Sequence, residues 1–302
     1  MGVHEFLDTF AGLPVVRWDE ATPEVPPAVA WWMTVERSGE TFASVFEQVM
    51  ELAGPAGPTA LIVSDWGTPN LEPFPVEVLT RSAARLGGLR ALFLGEMSGE
   101  QCEISWIRHG DITPLLEGFP QLQHLWIRGG AGLELTPVRH ENLHELVIQS
   151  GGLPGSVVRS LAACELPNLE ELELWLGVAQ YGGDARAEDL APVLAGRAMP
   201  SLSWLGLRNA EITDELAAAV AAAPIVARLR VLDLSMGTLS DTGAEALLAG
   251  QPLTHLEHLV LHHHFLSREV ARRLVDELPE VEVDISDEQQ VEDRGRYTAV
   301  SE

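Results

Sequence analysis

Lysine is absent from this 302-residue chain, so all nineteen basic residues are arginine. This absence excludes phosphate-binding loops that need their Lys, Schiff-base catalysis and Ser–Lys dyads. Cysteine is scarce as well, since only Cys102 and Cys164 occur, in no spacing typical of a metal or redox site. We expect both to be reduced residues of a cytoplasmic protein, and we predict no cofactor.

Long apolar runs and positive charge are also lacking. No run approaches the ~18 apolar residues that a membrane helix needs, and the start, MGVHEF, does not resemble a signal peptide. The 45 acidic residues give a formal charge of -26. A surface this acidic repels phosphate backbones and anionic lipids, so we expect no nucleic acid or membrane partner. A protein or peptide with a basic surface is the better candidate.

A leucine pattern recurs through most of the chain. L-x-x-L-x-[LI] first begins at Leu89 and last at Leu256, with weaker copies from Pro58 and Leu278, and successive copies start 21 to 33 residues apart. Each x-L-x-L-x predicts a short strand whose leucines point inward, because strand side chains alternate between faces. One unit cannot bury its apolar face alone, so the pattern predicts stacked units that share one core.

Helix-start signals follow several copies of the pattern. Thr213, Ser240 and Ser267 each lie six residues after the last Leu of their copy and precede acidic residues and an apolar stretch. These are N-cap signals, because a side-chain oxygen and nearby negative charge stabilise a helix N-terminus. They predict helices over 213–223, 240–249 and 267–278. Less regular counterparts are predicted at 75–86, 111–118, 154–163 and 187–196.

Strand and helix alternating at this period predict an α/β solenoid: a horseshoe with a parallel β-sheet on its concave face and helices on its convex face. A closed βα barrel is the alternative with a similar period. Its strands are buried on both faces and form nearly continuous apolar runs. Here Glu173, Arg208 and Asp233 occupy alternate strand positions. One face of the sheet is therefore predicted to be open, which favours the solenoid.

Three segments carry a family resemblance. LRVLDLSMGTLSDTGAEALLAG (229–250) resembles the unit of ribonuclease-inhibitor-like leucine-rich repeats, and the resemblance covers about 58–285. CEISWI (102–107) and ELWLGV (173–178) resemble a bacterial family of cytoplasmic leucine-rich-repeat proteins of similar length. The chain departs from the repeat pattern at Gly237 and His264, where Asn or Cys often follows the strand.

The chain divides into three predicted regions. About nine repeats occupy 58–285, and residues 1–57 form an N-terminal capping region, because terminal repeats must close the core. Within that region we predict a strand in 28–36 and a helix over 41–53. Beyond Ile285 the sequence is rich in Asp, Glu and Gln, which predicts a flexible acidic tail over 286–302. Docking of Tyr297 onto the repeats is the alternative.

Two histidine groups invite a metal-site hypothesis. Residues 140–144 match H-E-x-x-H, which binds zinc only on a helix, whereas this segment approaches a predicted strand. Four residues of extended chain span roughly 13 Å, too far for two ligands of one zinc. His258 and His262 are predicted to face outward, opposite Glu280 and Asp284 of the next repeat. Such pairs can hold a divalent metal or sense pH.

The outward strand positions are predicted to form lateral rows across the concave sheet. Trp and Arg, which dominate binding hot spots, occur in these rows among carboxylates. We predict a partner-binding surface composed of His124, Trp126, Arg128, Glu171, Glu173, Trp175, Trp204, Arg208, Asp233, His258 and His262. In the alternative arrangement, the inserts 95–111 and 177–188 fold over the concavity and bury the tryptophans.

Two functions remain open at this point. The first is a non-enzymatic scaffold that binds a protein or peptide on the concave face, for which no catalytic residue is predicted. The second is a metal-binding enzyme or sensor that uses the His-rich C-terminal repeats.

Overall fold

The computed structural model describes residues 6–21, 28–36, 38–291, 293 and 295–300. Within these ranges twelve strands form one sheet in the order of the sequence. Only β1 and β2 pair in antiparallel fashion, and every later pair is parallel. The strands are β1 Thr9–Phe10, β2 Leu13–Arg17, β3 Ala30–Met33, β4 Ala60–Val63, β5 Ala91–Leu94, β6 His124–Arg128, β7 Glu145–Gln149, β8 Glu171–Gly177, β9 Trp204–Ala210, β10 Val231–Asp233, β11 His258–Val260 and β12 Glu282–Asp284.

A helix lies between most neighbouring strands, because parallel strands need a crossover that returns the chain to the same end of the sheet. The helices are α1 Phe42–Ala53, α2 Val76–Arg81, α3 Thr113–Gly118, α4 Gly155–Ala162, α5 Ala191–Leu194, α6 Thr213–Ala221, α7 Asp241–Ala249 and α8 Arg268–Glu277. Short 3-10 turns precede α5 and follow α6. The helices that the sequence predicted are all present, and each is at least one residue shorter than expected.

The leucines of the pattern form the core between the sheet and the helices. Leu205 and Leu207 of β9 are fully buried, and the same two positions are buried in the neighbouring strands. In β3 the inward positions hold Trp31 and Met33, which belong to the same core. The parallel sheet therefore extends to β3 and β2, in the region predicted to be a cap.

The sheet is open, since β1 and β12 lie at opposite ends of the strand order. This order excludes the closed barrel. The chain forms an α/β leucine-rich-repeat solenoid, with the parallel sheet on one side and the helices on the other. Among the described residues, no helix is both long enough and apolar enough to cross a bilayer.

Two of the three predicted N-caps are present. The Ser240 hydroxyl accepts a hydrogen bond from the N–H of Thr242, and the Ser267 hydroxyl accepts one from Val270. The prediction for Thr213 was wrong, because Thr213 is the first residue of α6 and Ile212 occupies the N-cap position without a side-chain capping hydrogen bond. The hydroxyl of Thr213 donates to the carbonyl of Ala210 and accepts from a backbone N–H of the next repeat.

The departures from the repeat pattern at Gly237 and His264 have local explanations. A Cβ on Gly237 would lie 2.1 Å from the Thr213 hydroxyl, so only glycine fits where the turns of two repeats meet. The imidazole of His264 connects its own repeat to the next one, at the turn that follows β11. Its Nε2–H donates to the carbonyl of Ile285, and its Nδ1 accepts from the N–H of Leu266.

Candidate functional site

The predicted lateral rows are present on the concave face. Strand pairing sets six side chains of the first row opposite one another: His124, Glu145, Glu171, Trp204, Val231 and His258. The second row contains Phe93, Trp126, Val147, Glu173, Gly206 and Asp233. In the third row Arg128 pairs with Gln149, and Trp175 pairs with Arg208. The rows place the predicted residues on one face, but they do not determine which of them solvent reaches.

The N-terminal part of the concave face is covered by the chain itself. Residues 6–10 cross β3 to β6, and the Phe10 ring lies 6.0 Å from Phe93 and 5.6 Å from Trp126, between ring centroids. Leu7 and Phe10 form an apolar cluster with the outward side chains of β3 to β5. Trp126 is consequently only partly exposed, so part of its ring remains available to the predicted partner-binding surface.

A buried carboxylate anchors this cover. Glu96 accepts hydrogen bonds from the backbone N–H of Leu7, at 2.7 Å, and from the indole N–H of Trp32. Burial raises the pKa of Glu96, whereas these hydrogen bonds and the nearby Arg128 oppose the rise. The covering segment therefore has a specific polar contact besides its apolar packing.

Arg128 lies beside this anchor and is not part of an open surface. Its guanidinium donates to the Gln149 side chain and to the carbonyl of Met97, each at 2.9 Å, and only 3% of the residue is exposed. Burial lowers the pKa of Arg128 to about 10, although the nearby Glu96 acts in the opposite direction. Its prediction as a partner contact is therefore corrected: Arg128 ties two repeats together from within.

Trp175 is also covered, with 2% of the residue exposed. It forms a separate apolar cluster with Ile104 of the insert 95–111, with Met236 and with Val300 near the end of the chain. The prediction that Trp175 contacts a partner directly is thus corrected. Its ring does face the concave side, but one insert and the C-terminal residues lie over it.

Arg208 is the centre of a charged network beside Trp175. Its guanidinium lies 3.0 Å from a carboxylate oxygen of Glu173 and 3.2 Å from one of Asp233. Burial disfavours the guanidinium charge, but the two carboxylates outweigh it and raise the pKa of Arg208. The indole N–H of Trp175 donates to the other oxygen of Glu173, at 2.5 Å. Arg208 and the two carboxylates are therefore held in fixed positions.

His262 lies at the edge of this network, with its Nε2 3.5 Å from the Arg208 guanidinium. Burial lowers the pKa of His262, and the neighbouring Arg208 lowers it further, against the carboxylates of Asp233 and Asp284. The neutral imidazole is therefore the favoured form, and it can accept a hydrogen bond from Arg208.

The first row remains the accessible part of the concave face. His124 Nδ1 lies 2.6 Å from a carboxylate oxygen of Glu145. Burial raises the pKa of Glu171 to about 7, and the charges of Glu145 and Glu173 add to the rise. Trp204 is half-buried, and its ring lies across Gly206, where a Cβ would be 2.6 Å away. An accessible tryptophan thus adjoins crowded carboxylates.

The C-terminal histidines point in different directions. His258 is exposed and lies 3.4 Å from Glu282, whereas His263 and His264 are buried. The predicted register of the last strand was wrong by two residues. His258 pairs with Glu282 instead of Glu280, and Asp284 pairs with Val260 instead of lying opposite His262. Among the described residues, no three His, Cys, Asp or Glu side chains are placed to hold a metal ion.

The H-E-x-x-H segment is not helical. Residues 140–144 are irregular and lead into β7. His140 is buried, and its Nε2–H donates to the carbonyl of Phe119, whereas His144 lies 3.4 Å from Glu170. The two imidazoles therefore have separate partners, and the segment lacks the helix that would bring both of them to one ion.

Several residues important to this face had no signal in the sequence. Glu96, Ile104 and Asn209 lie outside the leucine positions, and Phe10 and Val300 lie outside the repeats. Their roles arise from contacts with distant parts of the chain, which periodicity does not encode.

Comparison with known proteins supports the fold. The chain is 29% identical to a protein from Bacteroides fragilis whose crystal structure matches with a TM-score of 0.80, over 89% of this chain and 75% of that chain. An internalin structure from Listeria monocytogenes matches over 80% of this chain and 70% of that chain, at 13% identity and a TM-score of 0.33. No protein-family model and no curated protein matches the chain.

Proposed function

We propose that this protein is a non-enzymatic scaffold that binds a protein or peptide with a basic surface on its concave face. The observation that carries the proposal is the accessible first row, where Trp204 pairs with Glu171 and Glu171 pairs with Glu145, and all three side chains are partly exposed. A partly exposed tryptophan beside charged groups is typical of binding hot spots. An open solenoid face also offers the area that a specific complex needs, about 800 Å² per partner.

The charge of this face favours a cationic partner. Glu171 is crowded by Glu145 and Glu173, which is one reason why its pKa is raised. An arginine or lysine side chain placed beside Glu171 would relieve this repulsion and favour the ionised carboxylate. The formal charge of -26 would also speed the encounter with a basic protein.

The proposal also includes the class of the repeat and the cellular location of the protein. The regular strand and helix units from β9 to α8 support a repeat of the ribonuclease-inhibitor-like class. Cys102 and Cys164 are buried and unpaired, which supports a reducing, cytoplasmic location.

The test compares two paired variants as bait in the cell from which the sequence comes. We expect Trp204→Ala with Glu171→Gln to lose a bound protein that the wild type and a control retain. The control is Leu52→Ala with Glu188→Gln, since both residues are exposed on helical segments away from the sheet.

With the captured partner purified, calorimetry measures the change in affinity. Loss of a hot-spot tryptophan weakens binding by about 2 kcal/mol, which raises Kd roughly 30-fold. An equal loss of binding in the control variant, or unchanged binding in the concave variant, contradicts the proposal.

A further inference from the structure

Residues 296–300 lie across the C-terminal ends of β9, β10 and β11. The Tyr297 carbonyl accepts a hydrogen bond from His263 Nε2–H, at 3.1 Å, and the Ala299 N–H donates to the carbonyl of Met236, at 2.8 Å. The sequence predicted a flexible tail here. These contacts instead bind the main chain of the segment to successive repeats.

Asn209 holds the other end of the segment by both main-chain groups of Val300. The Val300 N–H donates to the Asn209 side-chain oxygen, at 2.9 Å, and the Asn209 side-chain N–H donates to the Val300 carbonyl, at 2.5 Å. Asn209 is fully buried. Since an amide side chain that pairs with a peptide group recognises main chain and not sequence, this contact suits any extended peptide.

Three backbone distortions coincide with these contacts. Asn209, Met236 and His263 have φ angles of 51°, 67° and 56°, in the left-handed region that residues other than glycine rarely adopt. Each lies at the end of a repeat strand, and each contacts the segment. The same left-handed turn recurs at Gly129 and Asp287, so it belongs to the repeat, and at these three positions it presents an amide, a carbonyl and an imidazole to the segment.

Side chains of the segment add sequence preference to this main-chain recognition. Val300 packs against the cluster of Ile104, Trp175 and Met236, so a small aliphatic side chain fits there. The Tyr297 ring packs edge-on against Phe265, with 5.4 Å between ring centroids.

A charged contact holds the other end of the segment. Arg296 forms an ion pair with Asp214, at 2.9 Å. The site therefore favours an arginine, an aromatic and an aliphatic residue, in that order along an extended chain.

We propose that the ends of β9 to β11 form a peptide-binding groove, which residues 296–300 of this chain occupy in place of an external ligand. The ligand class is an extended peptide with the spacing Arg-aromatic-x-x-aliphatic. This inference rests on the proposed function, because it names a partner class for the neighbouring part of the same concave face. A tethered occupant acts at an effective concentration in the millimolar range, so an external peptide must compete with it.

The test uses the full chain with the segment released. Ala299→Pro removes the N–H that donates to Met236, and Val300→Asp places a carboxylate in the apolar cluster. A fluorescein-labelled peptide of residues 295–300 is then titrated by fluorescence polarisation. We expect the release variant to bind this peptide with a Kd at least about tenfold lower than the wild type, because the tethered competitor is gone.

A matched substitution identifies the groove. Asn209→Gly in the release variant removes both hydrogen bonds to Val300, and glycine accepts the φ of 51° without strain. We expect this change to abolish peptide binding, and a peptide with Asp in place of Val300 to fail with either chain. Far-UV circular dichroism checks that each variant is folded.

A second measurement needs no variant. Saturating peptide added to the wild-type chain should speed hydrogen exchange at the amides of residues 297–300, because the added peptide and this segment compete for one groove. Unchanged exchange, with no binding to the folded release variant, means that the segment is a structural clasp and overturns the inference. The Trp204 and Glu171 experiment does not involve this segment, so the proposed function can survive that outcome.

Discussion

The two halves of the concave face share one strand register but differ in chemistry and in cover. From β3 to β5 the outward side chains are apolar, and residues 6–10 seal them. From β7 to β11 they include the charged network of Arg208, Glu173 and Asp233, and much of the first row is accessible. The comparison shows that an outward position in a solenoid can serve either as core or as binding surface. Segments outside the leucine pattern determine which of the two roles each position has.

The largest expected effect tests the covered half. Phe93→Ala should lower the free energy of unfolding by about 3–5 kcal/mol, because a fully buried aromatic ring is replaced by a cavity. Urea unfolding measures the loss. Val260→Ala is the matched control, since Val260 lies in the same lateral row but is partly exposed, and it should cost less than about 1.5 kcal/mol. Similar losses of stability at both sites would contradict the difference in burial between the two halves of the concave face.

The next effect tests the charged half. Arg208→Ala leaves Glu173 and Asp233 buried without their cation, which should lower the free energy of unfolding by about 3 kcal/mol. Adding Glu173→Gln and Asp233→Asn to this variant should recover part of the loss. The control is Arg230→Ala, whose pair with Glu257 is exposed and should contribute nothing measurable. A loss as small as that of the control would mean that the network is solvated.

The smallest effect concerns Glu171 and depends on pH. Its folded pKa of about 7 exceeds the ordinary value of 4.5, so its contribution to stability is complete below pH 4.5 and is lost as the pH rises through 7. Glu171→Gln should therefore raise Tm at pH 8, by about 2 °C, and change it little at pH 5.

Thermal unfolding at the two pH values measures this difference, with the exposed Glu170→Gln as the control. A Tm gain at pH 8 in the control, or none in Glu171→Gln, would show that carboxylate crowding does not govern this row.

The fold was predictable because the leucine spacing encodes it locally. Strand positions from Leu61 to Leu261 and the helix starts at Ser240 and Ser267 follow from patterns within a single repeat. The weak last copy was displaced by two residues because Val281, Val283 and Ile285 alternate. A slip of two residues keeps every side chain on its own face, so alternation cannot detect it.

The accessibility of the candidate site was not predictable in the same way. The cover over Trp126 comes from Phe10, and the cover over Trp175 comes from Ile104 and Val300. These contacts join residues far apart in the sequence, and none of the covering residues belongs to the repeat pattern. The register identified the rows, but only the packing of the insert 95–111 and of the C-terminal residues separates Trp204 from Trp175.

The segment of residues 6–10 also changes how the solenoid unfolds. In a simple repeat array each unit contacts only its neighbours, so the units can fray one after another from an end. Phe10 touches both Phe93 and Trp126, several strands away from β1, and thus links units that are not adjacent. The strands from β3 to β6 should consequently open as one cooperative block.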